Sequence, residues 1–186
     1  MNDTSSCGRE DARLPVGEPY GRMAAEYPVA GEICVAAYRD SGQLGDDIEY
    51  AAELADVAGR SSDAEIIVAV DADTGEVLGT VSLALHGSPL AELAGPGEAE
   101  FRMLAVYPNA RRRGVGTLLT RACIDSAAGH DCSALVMYVR DFNAPAREMY
   151  TALGFRETPE RNWSFSETGH LVAMRLDLPP HAPAGS

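Results

Sequence analysis

The 186 residues suffice for one domain with a substantial core, and 46% hydrophobic with 23% charged residues is ordinary for a soluble globular protein. The formal net charge of −13 argues against nucleic acid as a partner, because binding it requires an excess of Lys and Arg. No apolar stretch approaches the length of a membrane span, and the N-terminal residues lack the basic and apolar regions of a signal peptide. We therefore expect a cytoplasmic protein with no membrane partner. The cysteines show neither zinc nor redox spacing, so we expect no metal.

Periodicity and turn residues divide the chain into a loose N-terminal leader at 1–15, one domain at 16–178 and a loose tail at 179–186. The elements predicted in chain order are a short strand (21–25), two helices (29–38 and 48–57), a hairpin of two strands (66–70 and 77–85), a strand (98–106), a helix (115–128), a buried strand (134–139), a helix that begins after Asn143, and two closing strands (155–158 and 170–178). This order, βααβββαβαββ, indicates an α/β domain. Its mixed central β-sheet is flanked by helices and contains a strand–helix–strand crossover.

A bend with two glycines joins the strand at 98–106 to the following helix. It reads Arg111-x-x-Gly114-x-Gly116, and its glycines let the backbone approach a ligand closely. At a helix N-terminus the free N–H groups and the helix dipole favour an anion, most often a diphosphate. The alternative is a tight turn whose glycines serve only packing. No Gly-Lys-Ser/Thr triplet of a P-loop is present, and Leu119 stands where a dinucleotide fingerprint needs a small residue.

Asn143 and Tyr150 lie seven residues apart on one predicted helix, so their side chains share a face and are about 10 Å apart along the axis. If the helix runs along an extended ligand, one side chain meets the middle of the ligand and the other meets its reactive end. Each residue also has a purely structural interpretation. Asn143 is a suitable helix N-cap, and Tyr150 is a suitable core aromatic.

Glu100 is the candidate general base, acting directly or through a water molecule. Strict alternation puts the even-numbered residues of 100–106 on one face of the strand and the odd-numbered residues on the other. The alternative is a solvated carboxylate at an exposed strand end. His86, which ends a strand near the expected cleft, is the reserve base. The histidines show no metal-ligand spacing, and no Ser or Cys nucleophile pattern is present.

The segment from Glu100 to Phe155 resembles the core of the GNAT superfamily, the acyl-CoA-dependent N-acetyltransferases. The first hallmark is the strand end Ala105-Val-Tyr-Pro108 followed by the Arg-x-x-Gly-x-Gly bend. The second is Asn143-Ala-Pro-Ala-Arg-Glu-Met-Tyr150-Thr-Ala-Leu-Gly-Phe155. Both motifs, in this element order, imply the GNAT fold with its strand–helix–strand acyl-CoA-binding core. The sequence departs mildly from the family pattern at Arg112, where glycine is frequent.

The resemblance implies roles for individual residues. Three strand residues would bind the pantetheine arm of acetyl-CoA, the amides of the bend would hold its diphosphate, and Asn143 would bond to the pantetheine. An N–H near Leu104 would polarise the thioester carbonyl. Tyr150 would donate a proton to the leaving thiolate, and Glu100 matches a position where some family members hold a base glutamate. The implied cofactor-binding residues are Leu104, Ala105, Val106, Arg111, Arg112, Arg113, Gly114, Val115, Gly116, Thr117 and Asn143.

The implied activity is transfer of an acetyl group from acetyl-CoA to a primary amine by direct attack in a ternary complex. The acceptor is a small-molecule or peptide amine, and a homodimer is possible because many relatives dimerise. Acceptor choice is expected to depend on the first two helices, the loop at 85–97 and the segment 159–169. Three acidic residues, Asp46, Asp47 and Glu49, are candidates for attracting a cationic amine.

Two questions stay open at the level of sequence. Trp163 and Phe165 either line the acceptor pocket or cover the sheet edge, and the second interpretation is favoured. The chain is either an enzyme or a non-catalytic acyl-CoA-binding module that senses acyl-CoA or regulates a partner. An intact Tyr150 favours the enzyme, since a binding module does not require a proton donor for the leaving thiolate.

Overall fold

The computed structural model describes residues 26–166 and 169–179, which form a seven-stranded mixed sheet with helices on both faces. The helices are Tyr27–Asp40 (α1), Ile48–Ala55 (α2), Val57–Arg60 (α3), Val115–Gly129 (α4) and Ala144–Ala152 (α5). The strands are Glu65–Val70 (β1), Val77–Leu85 (β2), Glu98–Val106 (β3), Ala134–Arg140 (β4), Arg156–Glu157 (β5), Trp163–Ser164 (β6) and His170–Asp177 (β7). No helix among the described residues is long and apolar enough to span a membrane.

The strand order is β1-β2-β3-β4-β7-β5, with β6 also paired to β7. Of the strand pairs in the described part of the chain, only β3 and β4 are parallel, and α4 connects them, while the other pairs are antiparallel. The predicted α/β class, mixed sheet and crossover are therefore confirmed. The strand predicted at 21–25 and the leader at 1–15 lie outside the described residues, as does nearly all of the predicted tail, so the domain boundaries stay predictions.

The sequence predicted one helix at 48–57, but the structure has two helices there, because the backbone leaves the helical conformation at Asp56. The backbone of Asp56 leaves the helical region with φ −81° and ψ 67°, and its Oδ1 accepts a hydrogen bond from the N–H of Gly59 at 2.8 Å. Asp56 thus ends α2 and caps α3. An aspartate competes for backbone N–H groups in this way wherever a cap is available.

Each face of the sheet has its own apolar core. On one face α4 and α5 pack against a core that includes Phe101, Leu119 and Tyr150. On the other face α1 and α2 pack against Met103 and Ala105 of β3. The two helices of this second face approach closely at Gly31, where a Cβ would lie 2.4 Å from the carbonyl oxygen of Ala55.

A β-bulge in β3 overturns the strict alternation expected for residues 100–106. Thr80 of β2 pairs with Ala105 and Ser82 pairs with Arg102, so one residue of β2 faces two of β3. Met103 absorbs the extra residue with φ +54°. As a result Leu104 and Val106 pack on the α4 face with Phe101, whereas Ala105 and Met103 face α1. A bulge bends the strand that carries it and re-aims its side chains.

Candidate functional site

The parallel strands β3 and β4 pair at only three positions before they separate. The pairs are Glu98 with Ala134, Ala99 with Leu135 and Glu100 with Val136. Beyond them β3 continues to Val106 and β4 to Arg140 without further pairing between these two fully described strands. This splay leaves backbone N–H and C=O groups of β3 facing a gap at the carboxyl ends of the strands, where α/β sheets bind ligands.

Helix α4 begins beside this gap. Gly114 is its N-cap with φ +80°, and Arg112 before it also has a positive φ of +62°. The first bond inside the helix is from the N–H of Leu118 to the oxygen of Gly114 at 3.0 Å, so the three preceding amides have no acceptor within the helix. A Cβ on Gly116 would lie 3.2 Å from Sδ of Met149 and 3.9 Å from Leu104. The first turn of α4 therefore lies close to both α5 and the splayed part of β3.

The three arginines of the bend have different surroundings. Arg111 forms an ion pair with Asp40 at the end of α1 and also donates to the oxygen of Ala37 at 3.4 Å. Arg113 pairs with Asp71 at 3.0 Å. Arg112 is exposed. Two of the three side chains thus fix the bend to the rest of the domain.

Helix α5 carries Asn143 and Tyr150, and both structural interpretations from the sequence are realised. Asn143 is the N-cap, and its Oδ1 accepts from the N–H of Ala146 at 3.4 Å. Tyr150 is 4% exposed, with its ring 5.6 Å from that of Phe101 and 5.8 Å from that of Phe155. Burial raises the pKa of the Tyr150 hydroxyl well above its usual value, so it keeps its proton at any physiological pH.

A cavity of about 380 Å³ opens at the splay on the α1 and α2 face of the sheet. Its floor comes from β3 and β4 beyond their last pair, and its walls come from both helices, from the loop after β2 and from β6 and the segment that follows. The lining residues are Tyr38, Gln43, Tyr50, Glu53, Glu92, Glu100, Phe101, Arg102, Met103, Tyr138, Arg140, Trp163, Phe165 and Leu171. Its volume is that of a small-molecule site.

Glu100 lies in this cavity and is 1% exposed, which rules out the interpretation of a solvated strand end. Its Oε2 accepts hydrogen bonds from the N–H groups of Leu93 at 2.6 Å and Ala94 at 3.1 Å. Its Oε1 lies 3.9 Å from Nε of Arg102. Burial raises the pKa of the Glu100 carboxyl, although the two N–H donors and Arg102 oppose the shift. One oxygen thus fixes the loop, and the other accepts no hydrogen bond from the described residues.

Glu98, two residues before Glu100 on β3, anchors the same loop between β2 and β3. Its Oε2 accepts from the N–H of Gly95 at 2.8 Å and pairs with Arg161 at 2.9 Å, and its Oε1 pairs with Arg175. Arg161 also donates to the oxygen of Leu93. Glu98 therefore has a purely structural set of partners, in contrast to Glu100.

The cavity lining differs from the sequence expectations for the acceptor side. His86 does not line the cavity; it is exposed, and its Nδ1 contacts the oxygen of Ala94 at 2.8 Å. None of the residues 46, 47 and 49 lines it either, and Asp47 instead caps α2 through the N–H of Tyr50 at 2.8 Å. Trp163 and Phe165, favoured as a cover for the sheet edge, both line the cavity, with rings 5.7 Å apart.

Several cavity residues were not identified from sequence as part of the site. Tyr38 and Tyr50 come from different helices and meet with ring centroids 6.0 Å apart. Tyr138 and Arg140 come from a strand whose apolar content indicated burial on both faces. The polar residues at alternate positions of β4 were the available signal. Among the described residues, no group of three or more His, Cys, Asp or Glu could hold a metal ion.

The cleft lies at the carboxyl ends of splayed parallel strands, beside a helix that begins at a glycine. This is the typical position of a ligand site in an α/β protein. The model of the acetyltransferase (GNAT) family matches residues 32–155, and the chain belongs to this family. Members of the family use acetyl-CoA.

Named relatives differ in their acceptors. The alanine N-acetyltransferase of ribosomal protein bS18 from Salmonella typhimurium is 37% identical over 83 residues, which cover 44% of this chain and 56% of the relative. The mycothiol acetyltransferase of a Nocardioides species is 37% identical over 45% of this chain and 30% of its own length. The match thus spans little more than half the length of the Salmonella relative and less than a third of the length of the Nocardioides relative. An aminoglycoside N(6')-acetyltransferase type 1 from Klebsiella aerogenes is 31% identical over 60% of this chain and 74% of its own.

Solved structures share the fold. A GCN5-related N-acetyltransferase from Kribbella flavida is 28% identical with a TM-score of 0.61, covering 84% of this chain and 95% of that one. The structure of yncA from Salmonella typhimurium, solved with its cofactor acetyl-CoA, has a TM-score of 0.63 at 22% identity, covering 87% and 94%. At that identity the second match supports the fold alone.

Proposed function

We propose that this protein is an N-acetyltransferase that transfers an acetyl group from acetyl-CoA to a primary amine directly, within a ternary complex. The observation that carries the proposal is the position of the cavity. The cavity with Glu100 opens at the β3–β4 splay, beside which α4 presents its free N-terminal amides. One ligand along the splay and another in the cavity would therefore meet end to end.

The donor fits the groups that face the splay. The amides from Arg111 to Thr117 suit a diphosphate, because free N–H groups and the positive end of the α4 dipole converge there. The backbone of Leu104, Ala105 and Val106 would pair with the pantetheine as a neighbouring strand would. Asn143 uses its oxygen to cap α5, so its NH₂ group is the part that would bind the pantetheine. The family membership of the chain supports each of these assignments.

Glu100 and Tyr150 would divide the proton transfers. Acetyl-CoA supplies an acetyl group activated as a thioester. The acceptor amine must lose a proton to become nucleophilic, and Oε1 of Glu100 would accept it. Tyr150 would give its proton to the departing sulfur as the carbon–sulfur bond breaks. An N–H of β3 near Leu104 would hold the carbonyl oxygen as charge develops on it. The raised pKa of the Glu100 carboxyl makes it a better base, and the Tyr150 hydroxyl holds the proton that its role requires.

The test is amine-dependent release of free thiol from acetyl-CoA, measured with a panel of amino acids, small amines, aminoglycosides and short peptides. We expect release with at least one class of acceptor, and no release from the Gly116→Asp variant, in which a carboxylate occupies the diphosphate site. Binding of acetyl-CoA without thiol release for any acceptor would contradict the enzyme and favour a non-catalytic acyl-CoA-binding module.

A further inference from the structure

The acceptor cavity contains two arginines with different surroundings. Arg102 is neutralised by carboxylates, with its Nη1 2.8 Å from Glu92 and its Nε 3.9 Å from Glu100. Arg140 has no carboxylate within ion-pair distance among the described residues. Its single hydrogen bond to that part of the chain is a long one of 3.5 Å to the oxygen of Gln43. Within the described residues, most N–H donors of this guanidinium therefore have no acceptor.

Aromatic rings fix how that guanidinium is presented. Its central carbon lies 4.4 Å from the ring centre of Phe165 and 5.8 Å from that of Phe142. Contact with a ring face restrains a guanidinium without using its N–H groups, which lie in the guanidinium plane. The free edge of that plane matches a carboxylate, which accepts two parallel hydrogen bonds from it.

The register of the sheet sets where along the cleft this group lies. Glu100 is paired with Val136, and the bulge at Met103 adds one residue to β3, so Arg140, four residues further on, is at about the level of Ala105. Tyr138 and Arg140 share the face of β4 that lines the cavity. A carboxylate held by Arg140 is thus at the level of the β3 backbone where the acetyl group is proposed to lie. An acceptor whose amine and carboxylate are close together meets both requirements.

The rest of the cavity wall is made of aromatic and apolar residues together with Gln43 and Glu53. Tyr38, Tyr50, Met103, Trp163 and Leu171 surround the space between the two strands. At about 380 Å³ it accommodates a small molecule and not a folded protein. An apolar side chain on the acceptor would replace water against these surfaces, which is favourable in proportion to the area buried.

We infer that the acceptor is a free α-amino acid or close analogue with an apolar or aromatic side chain, whose carboxylate is bound by Arg140. This inference rests on the proposed N-acetyltransferase activity and names its substrate class. An acceptor without a carboxylate is disfavoured, because it leaves the Arg140 guanidinium without a partner in the cavity.

The experiment uses acceptors that differ only in the carboxylate. L-leucine, L-methionine and L-phenylalanine are compared with their C-terminal amides for thiol release from acetyl-CoA and for thermal stabilisation of the CoA-bound protein. The acids should exceed the amides in kcat/KM by about 10- to 150-fold, as expected for charge-assisted hydrogen bonds. Arg140→Gln should remove this preference, Arg140→Lys should keep part of it, and the KM for acetyl-CoA should not change.

Two further variants separate the carboxylate contact from general damage. Arg121→Gln removes an exposed arginine of α4 and should leave the acid-over-amide ratio as it is. Phe165→Leu releases the guanidinium from its stack and should lower the acid-over-amide ratio in kcat/KM, because any loss of apolar contact with the cavity wall applies to acids and amides alike. Amides that bind or react as well as the acids would overturn the inference, as would an Arg140→Gln variant that weakens both equally or chiefly affects acetyl-CoA. The inference also fails if the acids give neither turnover nor stabilisation.

The outcome distinguishes this inference from the activity on which it rests. Thiol release with other amines, but without a preference for the acids, would contradict the amino-acid acceptor and leave the acetyltransferase proposal standing. Stabilisation by acids that depends on Arg140, without any thiol release, would support the carboxylate site and contradict the enzyme.

Discussion

Replacing Glu100 by glutamine tests proton transfer with the least structural change. In the Glu100→Gln variant the amide oxygen can still accept from the N–H groups of Leu93 and Ala94, which now bond to Oε2 of the glutamate at 2.6 and 3.1 Å. The loop is therefore expected to keep its position. The NH₂ group would take the place of Oε1, where it cannot accept a proton. The variant thus removes the base and keeps the anchor.

The stability change has a predictable sign. Burial raises the pKa of Glu100 above 4.5, so the folded state binds its proton more tightly than the unfolded state does. The stabilisation associated with that proton is fully present below pH 4.5 and is lost as pH rises through the folded-state pKa. Glu100→Gln cannot show this loss. Its free energy of unfolding should rise relative to the wild type as pH goes from about 4.5 to 7, measured by urea denaturation.

The kinetic change should be large and pH-dependent. A positioned general base contributes about 10²- to 10⁴-fold, so kcat/KM at neutral pH should fall by that order in Glu100→Gln. The loss should shrink at higher pH, where more of the acceptor is already a free amine. Glu98→Gln is the matched control, since Glu98 holds the same loop but has no vacant oxygen toward the cavity. It should leave the shape of the pH profile unchanged.

Full activity of Glu100→Gln at pH 7, or the same loss at every pH, would refute the base assignment. A change of pH profile in Glu98→Gln equal to that in Glu100→Gln would show that loop position, and not proton transfer, sets the rate.

Three other substitutions give separate expectations. Acetyl-CoA at about 100 times its Kd should stabilise the protein by about 2.7 kcal/mol, and Gly116→Asp should abolish this stabilisation. The ligand-free variant should stay folded, because an acidic residue suits a helix N-terminus. Gly116→Ala is the uncharged control, and unchanged binding of acetyl-CoA by the Asp variant would contradict the diphosphate site. Tyr150→Phe keeps the buried ring and should lose under about 1.5 kcal/mol of stability but about 10²-fold or more in turnover; full turnover would end its role as proton donor. Gly31→Ala should destabilise by about 1–3 kcal/mol in urea denaturation, since its Cβ meets Ala55 at 2.4 Å, and no change would contradict the α1–α2 contact.

The donor side of the site was predictable because it is local in sequence and built from backbone. A strand, two glycines and a helix N-terminus form one continuous segment, so their geometry follows from residue types that restrict φ and leave amides free. Gly114, at φ +80°, and the cap at Asn143 lie where the sequence pattern predicted them. The same reasoning extended to the mixed sheet and its strand–helix–strand crossover, because the handedness and connection rules leave few alternatives.

The bulge at Met103 was not predictable from this sequence. A methionine with φ +54° carries no local signal, because the usual marker of a positive φ is Gly, Asn or Asp. Its cause is tertiary. Phe101 and Leu104 both pack toward α4, although regular alternation would put them on opposite faces, and the extra residue at Met103 reconciles the two positions. A two-residue alternation read from sequence cannot anticipate that requirement.

The acceptor cavity differs from the donor site in a way that explains both its variability and its absence from the sequence pattern. Its residues come from α1, α2, β3, β4, two loops and β6, and their proximity arises only from tertiary packing. Each lining position contributes a side chain and not a backbone group, so a substitution changes the acceptor without disturbing the donor site. In this chain the two charged positions are 100 and 140. Glu100 is a buried carboxylate, and Arg140 has no carboxylate partner in the described part of the chain. They lie on the adjacent strands β3 and β4, which separate between the two positions. The splay proposed to admit the donor also leaves room for a second charged group of the acceptor, because fully paired strands would close the gap between β3 and β4.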